Sequence, residues 1–162
     1  MNTEMKQNKI NWKMLLLYIL GALAAGGVGA LLGGNMDTFD EINKPALTPP
    51  AIVFPIVWTI LFILMGISSY LVCANNTDKK FKKRACTIYI VQLVVNALWS
   101  LFFFRLRWYM FSLLWLVLLL GLVIWMAIKF YKIKPLAGYL QIPYILWSIF
   151  ALILTYQINV LN

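Results

Sequence analysis

The chain has 162 residues, 63% of them hydrophobic and only 12% charged, with a formal net charge of +9, no histidine and two cysteines. Its apolar fraction lies far above, and its charged fraction below, those of ordinary soluble domains, which excludes a soluble fold. Without histidine, imidazole ligation of haem iron or zinc and any serine–histidine–aspartate arrangement are excluded, and two cysteines alone cannot build a structural zinc site.

A bilayer-crossing helix needs about 20 mostly apolar residues. Five windows qualify: Met14–Leu32, Ile52–Ala74, Ala85–Phe104, Trp108–Ile128 and Leu136–Val160. The expected fold is an all-α, polytopic five-helix bundle forming one membrane domain over residues 1–162. Connections are short except for residues 33–51, the natural candidate for a lid.

The first span follows Lys6, Lys9 and Lys13 as a signal peptide would, but it is too long for an h-region and lacks a convincing cleavage site, so it reads as a retained helix. Ala22, Gly26, Ala30 and Gly34 recur at four-residue spacing, and Ala25, Gly29 and Gly33 make a second row beside them. Small residues in such rows let helix backbones approach closely, either inside one protomer or across a dimer seam. The second span opens with Thr48-Pro49-Pro50, a threonine suited to the N-cap followed by proline at the first helical position. Pro55 lies about one turn deeper and is expected to bend the helix. Trp58, Phe62, Met65 and Ser69 then share similar spacing. Cys73 and Cys86 flank the next loop.

The third span places Gln92, Asn96 and Ser100 in one stripe with Trp99 beside it. The fifth repeats the design: Gln141, Ser148 and Thr155 recur every seven residues, Tyr144, Trp147 and Ala151 fall on or next to that face, and Pro143 is expected to bend the helix. An unsatisfied amide facing lipid costs several kcal/mol, so both stripes should face the interior. There they either hold helices together by hydrogen bonds or, with Trp58, Asn96, Trp99, Tyr144 and Trp147, converge on a cavity where flat rings stack. Trp12, Trp108 and Trp125 lie near expected interfaces and read as belt residues.

No span contains Asp, Glu, Lys, Arg or His. Proton relays and ion-coupled transport use intramembrane ionisable groups, so active transport of that kind is not expected. The basic residues sit in loops at helix ends, which argues for membrane orientation rather than nucleic-acid binding. An N-terminus in the cytoplasm puts Lys6, Lys9, Lys13, Lys79, Lys80, Lys82, Lys83, Arg84, Lys129, Lys132 and Lys134 inside, against Lys44, Arg105 and Arg107 outside. The C-terminus and the first loop then face outward. Cys73 and Cys86 fall on the reducing side, where a disulfide is not expected. Arg105 and Arg107 either snorkel to headgroups or pair with ligand carboxylates.

Lys44-Pro45-Ala46-Leu47-Thr48-Pro49-Pro50, Phe54-Pro55-Ile56-Val57-Trp58 and Leu64-Met65-Gly66 resemble the second-helix signature of the tryptophan-rich sensory protein/translocator protein family (TspO/MBR, peripheral benzodiazepine receptor). Gln92-Leu93, Asn96-Ala97-Leu98-Trp99-Ser100 with Phe102-Phe103, and Pro143-Tyr144 with Trp147 and Phe150-Ala151, resemble its third and fifth helices. The resemblance implies a receptor or sensor in the bacterial cell membrane, usually a homodimer, that binds porphyrins and related aromatic molecules and assists their transport. No cofactor is required, porphyrin being ligand or substrate. Carried onto matching positions, Phe39, Trp58, Phe62, Asn96, Trp99, Tyr144, Trp147 and Ala151 form the ligand site. Some members are credited with light- and oxygen-dependent porphyrin breakdown, for which Trp58 and Trp147 would be the redox-active pair. Three departures stand out: Leu47 replaces a tryptophan of the family pattern, Thr155 replaces an asparagine, and no basic residue follows Tyr156 to complete a sterol motif.

Overall fold

A computed structural model of the chain describes residues 10–34, 41–74 and 78–162. The main helices are α1 (Trp12–Gly33), α2 (Val53–Cys73), α3 (Lys79–Ser100), α4 (Tyr109–Ile133), the short α5 (Pro135–Tyr139) and α6 (Ile142–Leu161). A π-helical turn, Leu101–Arg105, continues α3. Counting α3 with its π turn and α5 with α6, five segments among the described residues are long and apolar enough to cross a membrane. Their outward faces carry large exposed apolar side chains such as Leu17, Leu31, Leu114 and Leu146. A helix apolar all round suits a lipid surround, where its outer face stays in hydrocarbon.

Two helix starts differ from the sequence reading. Helix α2 begins at Val53, not at Pro49, because a turn intervenes: Thr48 N–H donates to Pro45 O at 3.0 Å and Val53 N–H to Pro50 O at 2.9 Å. Pro55 therefore falls in the first turn, where its missing N–H leaves no bond unmade, and it starts the helix instead of bending it. The Pro55 carbonyl takes the Thr59 hydroxyl at 2.7 Å. Pro143 behaves likewise. The fifth span breaks at Leu140 and Gln141, and Pro143 sits in the first turn of a fresh helix.

Helix α1 packs on α2 and α3, α4 packs on α3 and α6, and α2 also touches α3, α4 and α5. Glycine makes the α1–α2 crossing possible: a Cβ on Gly66 would lie 2.5 Å from the Ile19 Cα. The small-residue rows of α1 face inward, Gly29 against Ala97 and Gly33 against Ser100. Internal packing thus accounts for Gly29 and Gly33.

One end of the bundle gathers Lys13, the run Lys79–Arg84, Lys129, Lys132 and Lys134. Contacts tie that end together: Asn11 N–H donates to Tyr70 Oη at 2.8 Å, Ser68 Oγ to Ala137 O at 2.7 Å, and the Lys129 ammonium lies 5.3 Å from the Phe81 ring centroid. Lysines in the first turns of α3 oppose its macrodipole. Membrane orientation explains them better than helix stability does.

Cys73 and Cys86 form a disulfide at this same end, contrary to the expectation of two free thiols. That expectation rested on compartment alone, whereas the hairpin geometry permits the pairing. The last residue of α2 and the second turn of α3 bring the two Cα atoms to 6.1 Å, inside the range that a disulfide spans.

Candidate functional site

Between α1, α2, α3 and α6 lies a cavity of about 230 Å³, extending toward the end opposite the lysines. Its lining covers roughly two to three turns on each helix, from Gly26 to Gly34, Phe54 to Phe62, Asn96 to Phe104 and Trp147 to Ile158. At 1.5 Å per residue that is a depth of about 12–16 Å. Three of its walls pack on one another, while α6 packs chiefly on α4 and meets α2 through aromatic rings.

The α2 wall carries Trp58 and Phe62, whose ring centroids are 5.7 Å apart. On α6, Trp147 meets Phe54 edge-on at 5.9 Å, closing the seam between the two helices. On α3, Trp99 stacks on Phe103 at 5.0 Å, with an interplanar angle of 20°. The π turn shifts the side-chain sequence of the helix so that Phe103 and Phe104 both reach the cavity. Opposite these rings α1 offers only small residues, Gly26, Gly29, Ala30 and Gly33. A Cβ on Gly26 would fall 2.3 Å from Phe62 Cε2, so the Phe62 ring lies directly on the α1 backbone.

The lining includes the polar side chains Asn96, Ser100 and Thr155, together with the Trp99 indole N–H, which is buried and has no hydrogen-bond acceptor among the described residues. Among the described residues no charged side chain belongs to the lining. Asn96 is held from behind. Its Nδ2 donates to Tyr144 Oη at 2.5 Å, and Tyr144 Oη donates to Gln92 Oε1 at 3.0 Å. Gln92 Nε2 in turn approaches Met65 Sδ at 3.7 Å. Such a chain fixes the Asn96 amide against the cavity wall and satisfies buried groups that would otherwise lack partners at membrane depth.

Of the residues singled out from the sequence, Trp58, Phe62, Asn96, Trp99, Trp147 and Ala151 line this one cavity. Tyr144 does not. It stands behind the wall, 1% exposed, bonded to Asn96 and edge-on to Trp58 at 6.1 Å. Phe39 lies outside the described residues. Gln92, Gln141, Ser148 and Thr155 are all buried, so both polar stripes face inward. Trp12 and Trp125 are 70% and 51% exposed on the bundle surface. Trp108 is exposed as well and stacks parallel to Phe102. Phe54, Phe103, Phe104 and the α1 glycines were not singled out as wall residues. The rows of small residues were the available signal for the last of these.

At the end of the bundle toward which the cavity extends, Arg107 Nη2 and Glu41 Oε2 form an ion pair at 2.6 Å. Asn43 N–H donates to Asn162 Oδ1 at 3.0 Å, and Asn162 Nδ2 donates to Asn43 O at 3.1 Å. The end of the first loop is thus tied to the α3–α4 connection and to the end of α6.

Comparison with known proteins agrees with this architecture. Residues 15–161 match the model of the TspO/MBR family. The chain is 30% identical to a tryptophan-rich sensory protein of Cereibacter sphaeroides, over 94% of each chain. It is 34% identical to the tryptophan-rich protein TspO of Chlorobaculum tepidum, over 76% of this chain and 78% of that one. It is 32% identical to the human translocator protein, over 76% of this chain and 74% of that one.

Proposed function

This chain belongs to the TspO/MBR family of integral membrane proteins, and from that premise we propose that it is a receptor for planar aromatic ligands of the porphyrin class, which it senses and helps to move. One observation carries the reading: three indoles and four phenylalanines surround a cavity whose described polar groups are uncharged. Flat apolar rings gain stacking and burial there, and a few fixed polar groups orient them. The Trp99 N–H and the braced Asn96 amide are suited to a neutral acceptor on the ligand, such as a ring nitrogen or a carbonyl.

At about 230 Å³ the cavity is somewhat smaller than the roughly 300–1,000 Å³ of most ligand pockets. A single ring system is accommodated as it stands. A whole tetrapyrrole enters edge-first with its periphery at the mouth, or with the seam between Phe54 and Trp147 parted. The weak backbone contact of α6 with the other three walls favours such parting.

The lysine-rich end faces the cytoplasm of a bacterial cell in this proposal, and the cavity mouth faces outward. Homodimerisation, implied by the family resemblance, then uses faces other than the inward-turned small residues of α1.

Titration of the purified protein with protoporphyrin IX tests the reading. Tryptophan fluorescence is expected to fall saturably, and Trp147→Phe to weaken binding while Trp12→Phe leaves it unchanged. Absence of saturable quenching, or equal effects of both substitutions, rejects it.

A further inference from the structure

The described cavity walls carry no charge, yet charged groups meet at the end of the bundle toward which the cavity extends. A carboxylate taken to the depth of Asn96 would be stripped of water without a cationic partner, which the walls do not provide. An aromatic ligand with carboxylate arms must therefore keep them at the mouth.

The described cations at that end are Lys44, Arg105 and Arg107, and the structure fixes the geometry of the last most closely. Arg107 holds Glu41 at 2.6 Å, with the two side chains 50% and 62% exposed. Its backbone has φ of 56°, the left-handed region that non-glycine residues seldom adopt and that clusters at ligand clamps. Bonds on either side hold it there: Leu106 N–H donates to Leu101 O at 3.0 Å and Trp108 N–H to Phe102 O at 3.0 Å. Only three positions separate Arg107 from the wall residue Phe104. Two residues beyond it, Tyr109 packs on the wall residue Phe103 at 5.5 Å.

We propose that Arg107 is an exchangeable carboxylate site: it holds Glu41 when the cavity is empty and takes a carboxylate arm of an aromatic ligand when the cavity is filled. This rests on the aromatic-pocket reading above. An ion pair as exposed as this one contributes little to stability, so replacing one carboxylate by another is readily reversible. The planar guanidinium presents a fork of donors that either carboxylate can engage bidentately. The loop does not come free when Glu41 is released, because the next residue, Ile42, is buried and Asn43 stays bonded to Asn162. Exchange thus frees one side chain at the rim and selects anionic aromatic ligands over neutral ones.

Protoporphyrin IX and its dimethyl ester, which share the ring and differ in charge, separate this proposal from the pocket reading. Their affinities are to be measured in detergent with the wild type and with Arg107→Gln, Glu41→Gln and Arg105→Gln. Arg107→Gln is expected to weaken the diacid about two- to fivefold, the range for an exposed charge pair, and to leave the ester unchanged. Glu41→Gln is expected to favour the diacid over the ester, by removing the competing carboxylate. Arg105→Gln, a control for net charge at the same end, should leave the diacid-to-ester ratio at its wild-type value. Equal losses of diacid and ester in Arg107→Gln, an effect of Arg105→Gln as large as that of Arg107→Gln, or weaker diacid binding by Glu41→Gln would overturn the exchange while leaving the pocket intact. Failure of both compounds to bind the wild type overturns the pocket reading, and this proposal with it.

Discussion

Tyr144→Phe removes one oxygen atom and tests whether the wall of the cavity is braced from behind. The Tyr144 hydroxyl accepts from Asn96 Nδ2 and donates to Gln92 Oε1, and its ring meets Trp58 edge-on. Phenylalanine keeps the ring and its contact with Trp58 while breaking both hydrogen bonds. Interhelical hydrogen bonds in membranes average about 0.6 kcal/mol, so the two together set a floor of about 1.2 kcal/mol. Buried groups left without partners cost about 1–3 kcal/mol each, and two are exposed to that penalty. Asn96 is 5% exposed and can turn toward the cavity, whereas Gln92 is fully buried with only the Met65 sulfur nearby. One full penalty therefore applies on top of that floor, and the expected loss is about 2–4 kcal/mol. Denaturant unfolding in mixed micelles measures it, with Asn96→Leu and the double substitution completing a cycle whose coupling should exceed about 0.5 kcal/mol. A change under about 0.3 kcal/mol with no coupling would show that the hydroxyl braces nothing.

Gly66→Ala places a methyl group 2.5 Å from the Ile19 Cα, a backbone atom that cannot rotate aside. Overpacking of this kind costs about 1–3 kcal/mol, read in the same unfolding assay, and unchanged stability would show that α1 and α2 do not cross here. Gly26→Ala pushes against the Phe62 ring, which can swing into the cavity; protoporphyrin IX binding should weaken several-fold, and unaltered binding would place the ligand elsewhere. The Cys73–Cys86 bridge has a sequence separation of 13. Closing a loop of that size stabilises by up to about 3 kcal/mol, so reduction should lower resistance to denaturant. Maleimide should label the unfolded protein only after that reduction. Labelling without reductant would contradict the disulfide.

The apolar spans were legible because hydrocarbon leaves few ways to cross it, and the inward turn of Gln92, Asn96, Ser148 and Thr155 followed from the cost of baring polar groups to lipid. The belt tryptophans Trp12 and Trp125 were separable from Trp58, Trp99 and Trp147 by their places near the expected membrane interfaces. Details that depend on tertiary context were not legible. Thr48-Pro49-Pro50 has the chemistry of a helix start, yet an intervening turn moves the start to Val53. Pro143 reads as a kink when the fifth span is taken as one helix, and becomes an ordinary first-turn proline once the span breaks at Gln141. Tyr144 shares a face with Trp147 by spacing, but its hydroxyl is drawn into the interface with α3 rather than the cavity. The π turn that brings Phe103 and Phe104 to the wall leaves no mark in residue spacing. Pairing of the two cysteines depends on how α2 meets α3, which compartment arguments do not address.

A structure of the protein with protoporphyrin IX bound tests the central claim most directly. The account predicts the macrocycle edge-in between the Trp58, Trp99 and Trp147 rings, with its carboxylates at the end bearing Arg107. A macrocycle lying on the lipid-facing surface, with those three indoles packed as in the free protein, would contradict it.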